Sequence, residues 1–403
     1  MNGISKAGRI CLVAQLVLAT AVLVTACGGG SSSSSSSSSE STGATENETK
    51  EAGGEEEAGG EGESTEGGDA KVEEILSEAF APAKWEGPTE KDPAAKGKHV
   101  ALIMTFAAAE GEQLLQDGAE TATKAIGWKS TYIDGKGTPQ GYEAGINQAI
   151  TEGVDGVVFG GITPSLVPNG MKALKAAGIP VVVQSNVEEP KEELWLGNVG
   201  YDTEREAEYL AAFLAKESNG EAKIALIEDK EYGIVAQRAE KFKPLLEELC
   251  PTCEIVNETD MQVTELETKL TPKISGVLQA NPDVNYIYAP YDAAVPPMVA
   301  AIKQAGLTDS VKIVSYGGFK QSTEYLRKKE VQNATVANAT QWQAWEAYDV
   351  LNRTFNEQEI PENAWATDPI KLLTWENAPE AGTYFEGDEA EFEKHYEELW
   401  GVK

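Results

Sequence analysis

Apolar residues arrive along this chain in two alternating patterns. HVALIMT (His99–Thr105) is apolar at nearly every position, as a strand covered on both faces must be, whereas Gly111 to Ile126 repeats its apolar positions every three or four residues, as an amphipathic helix does. The same alternation continues through Lys129–Asp134 (strand), Gln140–Thr151 (helix), Gly156–Phe159 (strand), Leu166–Ala177 (helix) and Pro180–Gln184 (strand). Strands separated by helices with short connections predict parallel βαβ units. A polar, Pro-containing stretch from Glu188 to Asp202 interrupts the pattern, which then restarts. The second set predicts helices at Glu206–Glu217, Ile234–Leu249, Leu266–Gln279 and Met298–Ala305. Its strands fall at Lys223–Glu228, Asn285–Ala289 and Lys312–Tyr316, with a further short run at Glu254–Val256. The expected fold is α/β, two doubly wound lobes on parallel sheets. A single (β/α)8 barrel would use the same alternation, but it leaves the break and two isolated strands, Ala334–Asn338 and Lys371–Thr374, without a place.

The first 98 residues follow neither pattern. Lys6 and Arg9 precede an almost unbroken apolar run from Cys11 to Val24, which reads as an export signal over residues 1–26. The segment Leu23-Val24-Thr25-Ala26-Cys27 resembles a bacterial lipobox, so Cys27 is expected to be acylated and to anchor the chain in a membrane. Nine serines follow, then a Glu/Gly/Thr-rich stretch; eleven acidic residues and one Lys lie between 28 and 70. That composition cannot bury enough apolar surface to offset ordering, so residues 27–70 are expected to be a tether and 71–97 an N-terminal extension.

Charge narrows the chemistry. With 66 Asp+Glu against 33 Lys+Arg the chain carries −33, and most of that excess lies outside the tether. A nucleic-acid partner is excluded, because displacing phosphate counterions takes Lys and Arg. The two histidines, His99 and His395, are far apart and outside any motif, so no metal site and no histidine-based catalytic set is expected. No cofactor and no catalytic residue is expected either. Of the four cysteines, Cys250 and Cys253 form a C-x-x-C after an apolar helical run. Lacking a second such pair or a nearby His, they are expected to form a structural disulfide.

The ordered set HVALIMT (His99–Thr105), QDGAE (Gln116–Glu120), VDGVVF (Val154–Phe159), AAGIPVVV (Ala176–Val183), NPDVNYIYAPYD (Asn281–Asp292) and TVAN (Thr335–Asn338) resembles the type I periplasmic-type sugar-binding proteins, the ribose-binding-protein group. The resemblance covers nearly all of residues 98–375. It implies an extracytoplasmic solute-binding protein of an ABC importer, a monomer whose lobes are joined by three crossings and close on a small ligand, a sugar by family. The crossings are expected near Gly200, Asn338 and Lys371. Lobe 1 is then 98–200 with 339–370, and lobe 2 is 201–338 with 371–403. Partners would be the permease subunits and, through the lipid, the membrane.

In open α/β sheets the ligand sits outside the carboxyl ends of the strands. That rule selects Thr105, Phe106 and Glu112, with Glu110 beside them, after the first strand, and Ser185 and Asn186 after the fourth. In the second lobe it selects Tyr232 and Tyr291, with Asn338 at a crossing. Asp292 reads as the N-cap of the next helix, and Trp342 and Trp345, three apart, put at least one ring in the core. The residues depart from the sugar-binding pattern. Gly111 and Glu112 stand near the family's aromatic positions, Ser185-Asn186 replaces Asp-Arg, Ala236 stands near an Arg, and Tyr291 and Gly317 replace Asn and Asp. Without the charged clamps, the pocket fits a neutral or cationic solute held by stacking and amide hydrogen bonds. Two other functions use the same cleft: a surface receptor serving a sensor kinase, and an exported enzyme acting through Glu110 or Glu112.

Overall fold

The computed structural model describes residues 63–402 apart from 192, 201, 366 and 367. The signal, Cys27 and the tether up to residue 62 lie outside the described residues. Helix α1 (Glu63–Ala79) begins inside the stretch expected to be tether. What makes it a helix is a stripe of Val72, Ile75, Leu76 and Ala79, spaced for one helical face and all buried.

The first lobe follows in the expected order: β1 (His99–Met104), α2 (Glu110–Ile126), β2 (Lys129–Asp134), α3 (Pro139–Glu152), β3 (Gly156–Gly160), α4 (Pro168–Ala177) and β4 (Val181–Gln184). Residues 197–199 add a short strand, β5 (Gly197–Val199), within the segment read from sequence as a break. The sheet order is β2-β1-β3-β4-β5, parallel throughout. Every residue of β3 and β4 is buried, which is why those runs carry no polar alternation.

The second lobe contains α5 (Thr203–Glu217), β6 (Lys223–Glu228), α6 (Gly233–Leu249), β7 (Glu254–Asp260), α7 (Leu270–Ala280), β8 (Tyr286–Tyr288), α8 (Val295–Ala305), β9 (Lys312–Gly317), α9 (Lys320–Arg327) and β10 (Gln332–Asn338). Then come α10 (Thr340–Phe355), β11 (Ile370–Leu373) and α11 (Phe392–Trp400). The second sheet is ordered β11-β10-β9-β8-β6-β7 and is parallel except for β11, which runs antiparallel at its edge.

The chain leaves the first sheet at Gly200, whose φ of +119° suits glycine alone, and Asp202 then caps α5 by accepting from the backbone N–H of Glu204 and Arg205. It returns after β10, since α10 lies against α2 and β4 of the first lobe, and crosses again to place β11 beside β10. A further crossing departs from expectation. Helix α11, assigned from sequence to lobe 2 with residues 371–403, packs instead on α10 and α2. There Phe392, Tyr396 and Trp400 join the core of Trp342 and Trp345, both buried, and Trp345 stacks on Trp400 at 5.2 Å. Aromatic area draws the helix to that lobe. The N-terminal extension also spans both lobes. Helix α1 shares the core of Tyr209, Leu210 and Phe213 on α5. Residues 81–98 then run over the first lobe, where Trp85 stacks on Trp342 and His395. The buried carboxylate of Asp92 accepts from the amides of Asn352 (2.6 Å) and Asn356 (2.7 Å).

Candidate interlobe binding site

Because both sheets are parallel apart from the edge strand β11, the carboxyl ends of their strands run into loops on one edge, and these loops face one another. On the first lobe, β1 ends at Met104, just before Thr105, and α2 begins at Glu110, so Glu112 in its first turn turns back toward the strand end. Its Oε1 accepts from the backbone N–H of Thr105 at 3.2 Å and from the Thr105 hydroxyl. Its Oε2 is shielded from solvent and has no hydrogen-bond partner. Gly160 at the end of β3 makes the space, since a Cβ there would stand 2.7 Å from that oxygen. Burial, with Asp134 adding to it, pushes the Glu112 carboxyl up to about 7 despite the Thr105 bonds. Phe106 stands beside it with half its surface (51%) open.

Ser185 and Asn186 follow β4. Ser185 has a φ of +54° and donates its N–H to Val199 O at 3.1 Å. Asn186 donates to Asn198 Oδ1 at 3.3 Å, and Asn198 in turn donates to Glu188 O. This corner is built by β5, which is why sequence reading that treated 188–202 as a break did not find Asn198.

On the second lobe, Tyr291 donates its hydroxyl to Asp229 Oδ2 at 2.7 Å, and Asp229 also accepts from the N–H of Glu231. Burial pushes Asp229 up. Tyr232 starts α6, and burial pushes its hydroxyl up to about 12, with Asp229, Tyr142, Glu231 and Glu112 adding to the shift. Two of those groups, Tyr142 and Glu112, belong to the other lobe, so the Tyr232 hydroxyl lies within electrostatic reach of that lobe. The rims meet at two places: a Cβ on Gly111 would stand 3.1 Å from Phe319 Cζ, and one on Gly233 would stand 3.3 Å from Val187 Cγ2. Asp229 and Phe319 were missed from sequence although each lies just past a strand end, the signal that selected Tyr232 and Tyr291.

Asn338 stands apart from this group. It is 6% exposed and donates to Glu206 Oε1 at 2.7 Å, while Glu206 also takes two bonds from Arg238. The Arg238 guanidinium lies 4.2 Å from the Tyr316 ring. Asn338 is thus held in a hinge network and its amide is engaged. The same hinge carries Gln184, which donates to Gln343, and Gln343 donates to Asp368 at 2.6 Å. Asp292 is no helix cap. Its buried carboxylate accepts from the Ser315 (2.5 Å) and Thr335 (3.0 Å) hydroxyls and from the Phe319 N–H (2.8 Å). Those bonds fix the Gly317-Gly318-Phe319 loop, where Gly318 has a φ of +78°. Cys250 and Cys253 follow α6 with Cα atoms 5.3 Å apart and sulfurs at bonding distance, remote from the cleft loops.

Two facing lobes on a multiply crossed hinge are an architecture shared with known proteins. The family model described as "periplasmic binding protein domain" matches residues 100–359. The chain belongs to the periplasmic binding protein family. Solved structures share the fold of this periplasmic binding protein. A glucose-galactose binding protein from Geobacillus stearothermophilus is 19% identical with a TM-score of 0.63, over 71% of this chain and all of its own. An ABC transporter periplasmic solute binding protein from Actinobacillus succinogenes with bound D-allose is 20% identical with a TM-score of 0.63, over 70% of this chain and 99% of its own. The periplasmic binding protein component of an arabinose ABC transporter from Shewanella is 19% identical with a TM-score of 0.62, over 76% of this chain and 98% of its own. No curated protein sequence matches the chain. The family match begins at residue 100, so α1 and the strap to residue 98 lie outside it.

Proposed function

We propose that this protein is an extracytoplasmic receptor that closes its two lobes on a small polar solute, a sugar or sugar-like compound, and delivers it to an ABC importer. The observation that carries this reading is the cleft itself: Phe106, Glu112 and Asn186 on one rim face Tyr232 and Phe319 on the other, across a hinge crossed repeatedly by the chain. Family membership supports it, and so do the sugars named for the structures that share the fold. Ligand contacts are assigned to Thr105, Phe106, Glu112, Ser185, Asn186, Tyr232 and Tyr291, with Asn338 acting through the hinge. Acylation of Cys27 holds a monomer at the membrane beside its permease subunits. A disulfide between Cys250 and Cys253 staples the end of α6. The chemistry is binding without turnover.

A thermal-shift screen of the chain against mono- and disaccharides, polyols and nucleosides tests the reading. A solute present at 1,000 times its Kd stabilises the closed form by roughly 4 kcal/mol, which moves the melting temperature by several degrees. Silence across the sugars and polyols contradicts it.

A further inference from the structure

We propose that the solute bound in this cleft carries a protonated amine and that Glu112 is the group that binds it. The inference rests on the cleft reading above and narrows its ligand class.

Glu112 is placed to recognise a cation. Oε1 is fully used by the N–H and hydroxyl of Thr105, while Oε2, shielded from solvent, has no partner at all. A buried carboxylate oxygen without a donor is costly; protonation by itself relieves that cost, which is why the carboxyl is pushed up to about 7, and a ligand donor that is also positively charged relieves it with the carboxylate ionised. No Lys or Arg among the described residues pairs with it. The groups facing it are Asp134 from β2, Tyr142 from α3 and Tyr232 from the opposite lobe, none of them cationic. A ligand hydroxyl would supply a hydrogen bond and leave the buried charge uncompensated. An ammonium supplies the donor and the opposite charge together, and such charge-assisted bonds are roughly twice as strong as neutral ones.

The surroundings favour the same choice. Asp134 adds to the negative field at Glu112, and Asp229 and Glu231 add to it at the Tyr232 hydroxyl, so the potential at these two groups favours a cation over an anion. Phe106 and Tyr232 offer ring faces of the kind that cations stack upon. The sequence also lacks, at Ser185-Asn186, the Asp-Arg pair implied by the sugar-binding resemblance. Arg238, the nearest arginine to Ala236, is spent on Glu206.

Titration calorimetry on the full-length chain in detergent tests this with D-galactosamine, D-glucosamine, their parent hexoses and spermidine as probes. The expected result is that a hexosamine binds at least tenfold tighter than its parent hexose. In Glu112→Gln that ratio falls to about one, and in Glu112→Asp, which keeps the charge, the preference persists; circular dichroism melts check that each variant is folded. Binding of spermidine alone upholds the amine and overturns the sugar reading. A parent hexose that binds as tightly as its hexosamine overturns the amine and leaves the sugar reading standing. No binding by any probe overturns both.

Discussion

The Arg238 guanidinium grips the Glu206 carboxylate by two bonds, Nε–Oε2 at 2.7 Å and Nη2–Oε1 at 3.2 Å, with the carboxylate wholly out of solvent. A buried pair of this kind tolerates joint replacement far better than loss of one member. Glu206→Ala leaves the guanidinium buried with only Pro290 O (3.4 Å) and the Tyr316 face, and it also frees the Asn338 amide. It is expected to cost about 3–5 kcal/mol in urea denaturation. A loss below about 1 kcal/mol would mean that the pair is hydrated in solution.

Glu112 ties stability to pH. Its carboxyl ordinarily titrates near 4.5, and burial raises it to about 7. A carboxyl raised on folding stabilises the protein when protonated, so its contribution is complete below pH 4.5 and is lost as pH rises through 7. At 1.36 kcal/mol per pKa unit the loss reaches roughly 3 kcal/mol. Burial pushes Glu386 up to about 8 and Asp368 to about 7, so both act in the same direction. Thermal melts of the ligand-free chain are expected to fall between pH 5 and pH 8, less steeply for Glu112→Gln than for the parent. Parallel curves for the two proteins would contradict the burial of that carboxyl.

The strap ahead of β1 is part of the fold. Trp85 stacks on Trp342 at 5.7 Å and on His395 at 4.7 Å, and meets Tyr396 edge-on at 4.9 Å. Trp85→Ala removes a partly exposed ring from that stack and is expected to cost roughly 2–3 kcal/mol, read as a shift in the denaturation midpoint. An unshifted midpoint would show that the strap is dispensable to the first lobe.

Much of this architecture was legible because strands covered on both faces are forced to be apolar throughout: β1, β3 and β4 announce themselves as HVALIM, GVVFG and VVVQ. Strand β5 is only Gly197-Asn198-Val199 and sits in a polar stretch, so nothing local marks it. Helix α1 was hidden by the Gly/Glu-rich composition around it, although the 72, 75, 76, 79 spacing carried its signal. At the site, the strand-end rule reached Thr105, Phe106, Glu112, Tyr232 and Tyr291. It did not foresee that Thr105 would hold one oxygen of Glu112 or that Tyr291 would be tied to Asp229. Nor could spacing foresee that Asn338 would be drawn into the Glu206–Arg238 pair, because those partners come from three separate elements.

Binding of a solute between the lobes is tested by calorimetric titration of the best solute from the thermal screen into the parent chain and Tyr232→Ala. Tyr232 belongs to the second lobe and its hydroxyl lies within electrostatic reach of Glu112 and Tyr142 on the first, so a ligand held between the lobes is expected to depend on it. The variant is expected to lose at least tenfold in affinity, with the melting temperature of the ligand-free protein little changed. Equal affinity for the two proteins would place the solute outside the cleft.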